Sequence, residues 1–189
     1  MPVWTVVAAC LLPPAAAVVA FLVAARIRGV LEWPKLPGPS LLIAATIEIF
    51  LVGGPLGEEP GWRGFLLPWL RRRVGALRAT LVVWIVWLAW HVPLFWVPGA
   101  GQQDIPPLEF AVALLSYAVM ATWLYESSHH SILIAALLHT SINVTFLLAA
   151  MGILDKDQGR LFWPIYLGAL TVIATAVAVC SRVFRRQLV

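Results

Sequence analysis

The chain has 189 residues, 61% of them hydrophobic and only 12% charged, with a formal net charge of +4 and a mean hydropathy of +0.90. A soluble globular domain carries about 25% charged residues, so this composition excludes one and points to a polytopic membrane protein whose spans serve as its core. The small positive charge comes from loop arginines, which read as topology signals and not as a nucleic-acid surface.

Residues 3–25 are apolar over the length a helix needs to cross a bilayer. Pro13 and Pro14 are expected to kink that span. No basic region precedes it, so it reads as a retained span and not a cleaved signal peptide. Arg26, Arg28 and Lys35 then mark a basic loop, with Pro34, Pro37 and Pro39 as breakers. Residues 40–56 form a second apolar run, interrupted by Glu48 and ended by Gly53-Gly54-Pro55. The stretch Gly57-Glu58-Glu59-Pro60-Gly61-Trp62-Arg63-Gly64 follows, and Arg71-Arg72-Arg73 closes that element.

Further spans are expected at residues 80–97, crowded with Trp84, Trp87, Trp90 and Trp96, and at residues 108–125. The turn at residues 126–131 holds His129 and His130, which read as solvated loop residues. Residues 132–151 span again and carry His139 and Asn143; residues 161–181 form the last span. The intervening loops hold Asp104 and, later, Asp155, Lys156, Asp157 and Arg160. Cys10 and Cys180 both fall in predicted spans and support neither a disulfide framework nor a thiolate metal site. The expected fold class is an all-α polytopic membrane helical bundle with an intramembrane polar cavity.

Basic residues concentrate in cytoplasmic loops. With the N-terminus outside, Arg26, Arg28, Lys35, Arg71, Arg72, Arg73, Arg78, Arg182, Arg185 and Arg186 all face the cytoplasm, ten of the thirteen basic residues. Lys156 and Arg160 then lie outside, and Arg63 lies within the membrane region. This arrangement requires residues 40–56 and 57–70 to form a membrane hairpin, with the carboxylates at its turn and the C-terminus cytoplasmic.

Ionisable residues inside a membrane are costly and mark functional sites by default. Pro60 is tolerated only in a first helical turn, so a helix is expected to start between Gly57 and Pro60, with Glu58 and Glu59 at its favourable N-terminal end. Glu59 and Arg63 are four apart, acid first, the better order for a helical pair. That pairing leaves Glu58 about 100° around the helix and available for other work. The competing reading is a purely structural Glu–Arg pair. His91 taken alone is a packing histidine, and His139 with Asn143, also four apart, is a pair that joins two helices. Their company favours a shared cavity: polar groups in three apolar segments are driven to meet one another.

The order Glu58-Glu59-x-x-x-Arg63, Trp87-x-x-x-His91, His139-x-x-x-Asn143, together with the run Trp62-Arg63-Gly64-Phe65-Leu66-Leu67-Pro68, resembles the CAAX protease and bacteriocin-processing (CPBP) family. That family includes type II CAAX prenyl endopeptidases and Abi-type intramembrane proteases. The resemblance covers residues 58–143 and departs at Trp87, where the family usually has Phe. It divides the chain into residues 1–39, an N-terminal span and basic loop, residues 40–151, a catalytic core, and residues 152–189, a C-terminal span and basic tail.

The resemblance implies an intramembrane endopeptidase cutting near the cytoplasmic membrane face. Glu58 would activate water, with His91 holding it. His139 and Asn143 would stabilise the oxyanion. Glu59 and Arg63 would support the site or orient substrate. Such donors and a base are what amide hydrolysis needs. Metal-free catalysis is preferred because of Asn143, and no His-Glu-x-x-His pair occurs. The alternative is Zn²⁺ held by Glu58, His91 and His139. Glu48 is expected either to line the cavity or to sit protonated against a neighbouring helix. Expected partners are a membrane-associated protein or peptide substrate and the lipid bilayer, with no nucleic acid; the expected location is a bacterial plasma membrane. The sequence lacks a C-terminal CAAX signal, so it is not expected to be its own substrate. The rivals are a non-enzymatic immunity or scaffold protein, and a small transporter relaying protons through Glu58 and Glu48.

Overall fold

A computed structural model describes residues 1–31, 36–149 and 156–185. Of the residues named above, Pro34, Lys35, Asp155 and Arg186 lie outside the described residues. The described chain folds into helices α1 (Val3–Arg28), α2 (Pro39–Leu51), α3 (Pro55–Glu59), a π-helical turn (Pro60–Leu66), α4 (Leu67–Val74), α5 (Ala76–His91), α6 (Pro107–Ser127), α7 (Ile132–Leu148), α8 (Lys156–Cys180) and α9 (Arg182–Arg185). Two 3₁₀ turns, Val92–Trp96 and Gly101–Asp104, join α5 to α6.

Five stretches, Val3–Arg28, Pro39–Val74, Ala76–Trp96, Pro107–Ser127 and Arg160–Cys180, are long and apolar enough to cross a membrane; α7 is a shorter apolar helix. The chain is an all-α, multi-pass integral membrane protein. In α6, 56% of the apolar window is buried, against at most 28% in the other long spans, so α6 is the central helix. Ala9, Ala16 and Ala20 of α1 are buried with Leu138 and Leu170; small residues let membrane helices approach closely. Val18, Ile43, Ile85 and Val172 face outward, as lipid contact requires.

Side-chain contacts set the helix directions. The Trp4 ring lies 5.4 Å from that of Trp123, near the end of α6, and Ser141 Oγ donates to the Cys10 carbonyl at 2.8 Å. α1 therefore runs parallel to α7. Phe146 and Trp163 rings stand 5.4 Å apart, while Phe184 packs with Ala76 and Val119, so α8 runs back toward the start of α5.

These directions overturn the expected topology. Arg71, Arg72, Arg73, Arg78, Arg182 and Arg185 gather at the bundle end where α1 begins. Arg26, Arg28 and Arg160 lie at the other end. α2 packs on α7 and on α3, and Pro39–Val74 is a helical stretch interrupted at Gly53-Gly54. The Val52 N–H still bonds the Glu48 carbonyl, and the Glu58 N–H already bonds the Gly54 carbonyl. The Gly53-Gly54 break thus separates two helical segments. Described residues near the two termini then share one end of the bundle, which the reading with the N-terminus outside and the C-terminus inside did not allow.

The helix start also differs. α3 begins at Pro55, after Gly54 at φ +106°, and Pro60 sits inside a continuous helical run. The run continues as a π-helical turn across Pro60–Leu66, a feature frequent at functional sites. Glu48 is exposed on α2 and does not line the cavity described below.

Candidate active site

The broken span places its two carboxylates in opposite surroundings. Glu59 and Arg63 are both fully buried. Arg63 Nη1 donates to Glu59 Oε1 at 2.8 Å and to Oε2 at 3.1 Å. The guanidinium lies over the Trp87 ring, 4.7 Å from its centroid, a cation–π contact strengthened by the lack of water. The same Glu59 Oε1 meets His139 Nδ1 at 2.9 Å. A carboxylate partner makes Nδ1 the donor, so Nε2 is the atom left for other contacts. Sequence spacing anticipates the Glu59–Arg63 pair; the bond to His139, 80 positions away, it does not.

Glu58 is half-buried. Its Oε2 accepts from Trp62 Nε1 at 3.1 Å and from Trp87 Nε1 at 3.0 Å. Its Oε1 stands against Gly54, where a Cβ would come within 2.8 Å of it. His91 Nδ1 meets the Trp87 carbonyl at 2.8 Å, which makes Nδ1 the donor and leaves Nε2 as an acceptor. His91 lies within electrostatic reach of both Glu58 and His139. Asn143 Nδ2 donates to the Gly53 carbonyl at 3.3 Å, which brings α7 onto the same break that Glu58 faces.

Trp87, His91, His139 and Asn143 share the wall of one cavity of about 180 Å³. The rest of the wall is mainly apolar and aromatic, including Phe110, Ile142, Phe146 and Trp163, with Glu109 and Gln102 among the polar contributors. Deeper in the bundle, the Tyr117 and Tyr166 hydroxyls bond at 3.1 Å. The structure thus brings three of the four expected catalytic residues to one cavity. Glu58 is joined to it through the Trp87 indole and is not itself among the wall residues. Glu59 and Arg63 are sealed behind the wall, so neither is placed to touch a substrate. His129 and His130 are exposed in the α6–α7 turn, far along α7 from the cavity; His130 Nε2 contacts Glu126 Oε2 at 3.2 Å.

The residue that sequence reasoning undervalued is Trp87. It bonds Glu58, receives the His91 bond, stacks under Arg63 and meets the His139 ring edge-on at 5.2 Å. Its place as the aromatic residue four before His91 was the available signal.

A zinc ion would need Glu58, His91 and His139 to converge. Among the described residues no group of three His, Cys, Asp or Glu side chains is disposed to hold one ion, and Glu58 Oε2 is committed to two indoles.

The family model for type II CAAX prenyl endopeptidase, Rce1-like, matches residues 39–145, more than half of the chain. The chain belongs to this family. The match runs from the start of α2 to the last turn of α7 and contains Glu58, Glu59, Arg63, Trp87, His91, His139 and Asn143. A CAAX prenyl protease 2 of Methanococcus maripaludis is 31% identical over 110 residues, which is 55% of this chain and 37% of that protein. The chain therefore aligns with little more than a third of the length of that relative.

Proposed function

We propose that this protein is an intramembrane endopeptidase that uses water activated by a carboxylate, without a metal. Glu58 takes a proton from a water held by His91 Nε2. The water oxygen attacks the carbonyl carbon of the scissile peptide. His139, with Nδ1 engaged by Glu59 and a second proton on Nε2, donates to the oxyanion together with Asn143 Nδ2. On collapse the C–N bond breaks, and the proton on Glu58 passes to the leaving amine. General-base catalysis contributes about 10²–10⁴-fold in such sites, and each oxyanion donor about 10²–10³-fold.

The observation that carries this reading is the shared cavity of His91, His139 and Asn143, with Glu58 tethered to its wall by Trp87. Family membership supports peptide hydrolysis, and the membrane setting supports a membrane-associated protein or peptide as substrate. A CAAX-type, prenylated substrate is the form suggested by the name of the archaeal relative. The site lies in the half of the bundle away from Arg71–Arg72–Arg73, so the compartment facing that half is where the cut is made.

The test is peptide cleavage by purified, detergent-solubilised protein. Glu58→Gln should abolish hydrolysis while leaving the fold and membrane insertion intact, and a chelator should leave the wild-type rate unchanged. Full activity in well-folded Glu58→Gln would point to a different base, and absence of cleavage by the folded wild-type protein would favour the non-enzymatic scaffold reading.

A further inference from the structure

Two indole N–H groups converge on a single oxygen of Glu58, an arrangement the catalytic roles above do not use. Trp62 Nε1 approaches Oε2 from the same helical run, and Trp87 Nε1 approaches it from α5. The other oxygen, Oε1, rests beside the bare Cα of Gly54. An indole N–H is a donor only, so both Trp residues hold the carboxylate without competing for its proton. The ring of Trp87 also packs on His139 and Arg63, but a phenyl ring would serve there equally well. What only an indole supplies at this position is the bond to Glu58.

We propose that Trp62 and Trp87 are positioning residues that clamp Oε2 of Glu58 and so present Oε1 as the oxygen that receives the proton. The inference rests on the reading of Glu58 as the base. It explains how a half-buried carboxylate beside a helical break keeps one rotamer. The two carboxyl oxygens then have different roles, Oε2 structural and Oε1 reactive. The clamp ties the broken span to α5, so the base keeps its distance from His91, which hangs from the carbonyl of the same Trp87.

The experiment measures kcat and KM for Trp62→Phe, Trp87→Phe, the double Phe variant, Glu58→Gln and Trp84→Phe. Trp84 donates to the Ala111 carbonyl at 2.9 Å and controls for the loss of an indole bond elsewhere. A loosened base costs rate and not binding; misplacement by about an ångström can cost about 10²-fold. Each single variant at Trp62 or Trp87 should lower kcat by roughly 3–10-fold and the double by about 10²-fold, with KM unchanged. Trp84→Phe should keep its kcat. If Trp87→Phe fails to fold, Trp62→Phe carries the test alone. A double variant with wild-type kcat beside an inactive Glu58→Gln overturns the clamp and leaves the base in place. An equal fall in Trp84→Phe also overturns it, by showing a general packing effect. An active Glu58→Gln would remove the base itself, a distinct result.

Discussion

Glu58 and Glu59 are neighbours in sequence, yet one step around the helix separates a half-exposed carboxylate from one with no exposure at all. Glu59 neutralises Arg63 and orients His139. Breaking a buried pair by removing one charge costs about 3–5 kcal/mol, because the remaining charge stays desolvated. Glu59→Gln should therefore lower unfolding stability by that order in denaturation of the detergent-solubilised protein, and expression should fall with it. A variant as stable as wild type would mean that Arg63 finds relief elsewhere. At His139 and Asn143 the loss should be in rate: alanine at either position removes one oxyanion donor, a change worth about 10²–10³ in kcat. Unchanged kcat in a folded Asn143→Ala variant would take the amide out of the mechanism and leave it as the link to the Gly53 carbonyl.

Among the elements, the break before α3 matters most. Gly54 adopts φ +106° and ψ −46°, a conformation for which side chains carry a strain of about 1–3 kcal/mol. A Cβ there would also stand 2.8 Å from Glu58 Oε1, so it would push the carboxylate from its place between the two indoles and Gly54. Gly54→Ala should lose both stability and cleavage activity. An alanine variant that keeps wild-type activity would show that Glu58 works from another rotamer. The π-helical turn complements this break. Pro60 removes one backbone donor, and the turn that follows carries Arg63 onto Glu59 and over the Trp87 ring of α5. Gly64 then passes close to Ile132, where a Cβ would lie 2.9 Å from the Ile132 side chain. The start of α7 is thus seated against the broken span, and His139 comes within reach of Glu59.

For the whole molecule, α1 runs parallel to α7, so the arginines are split between two ends. Impermeant thiol labelling of single-cysteine variants should find positions 72 and 185 on the same side as position 2, and position 28 on the other. Labelling of positions 28 and 72 from one side would contradict the contacts of Trp4 and Cys10. The same experiment states which compartment the site faces, because the cavity wall lies toward the end occupied by Arg28 and Arg160.

Much of the fold was legible in the sequence because a bilayer admits few solutions. Apolar runs of span length become helices, since backbone groups have no other partner there. The polar positions Glu58, Glu59, Arg63, His91, His139 and Asn143 stood out against that background for the same reason. The i,i+4 rule reads the Glu59–Arg63 pair directly, because both residues belong to one helix. Contacts between helices carry no such local signature. That His139 turns to Glu59, that Trp87 holds Glu58, and that Asn143 meets the Gly53 carbonyl all depend on which helix faces become neighbours. Charge counting could not decide which helices become neighbours, since it reads loops and not the faces that pack. Packing of α3 and Gly53 against α7 placed the carboxylates beside the cavity.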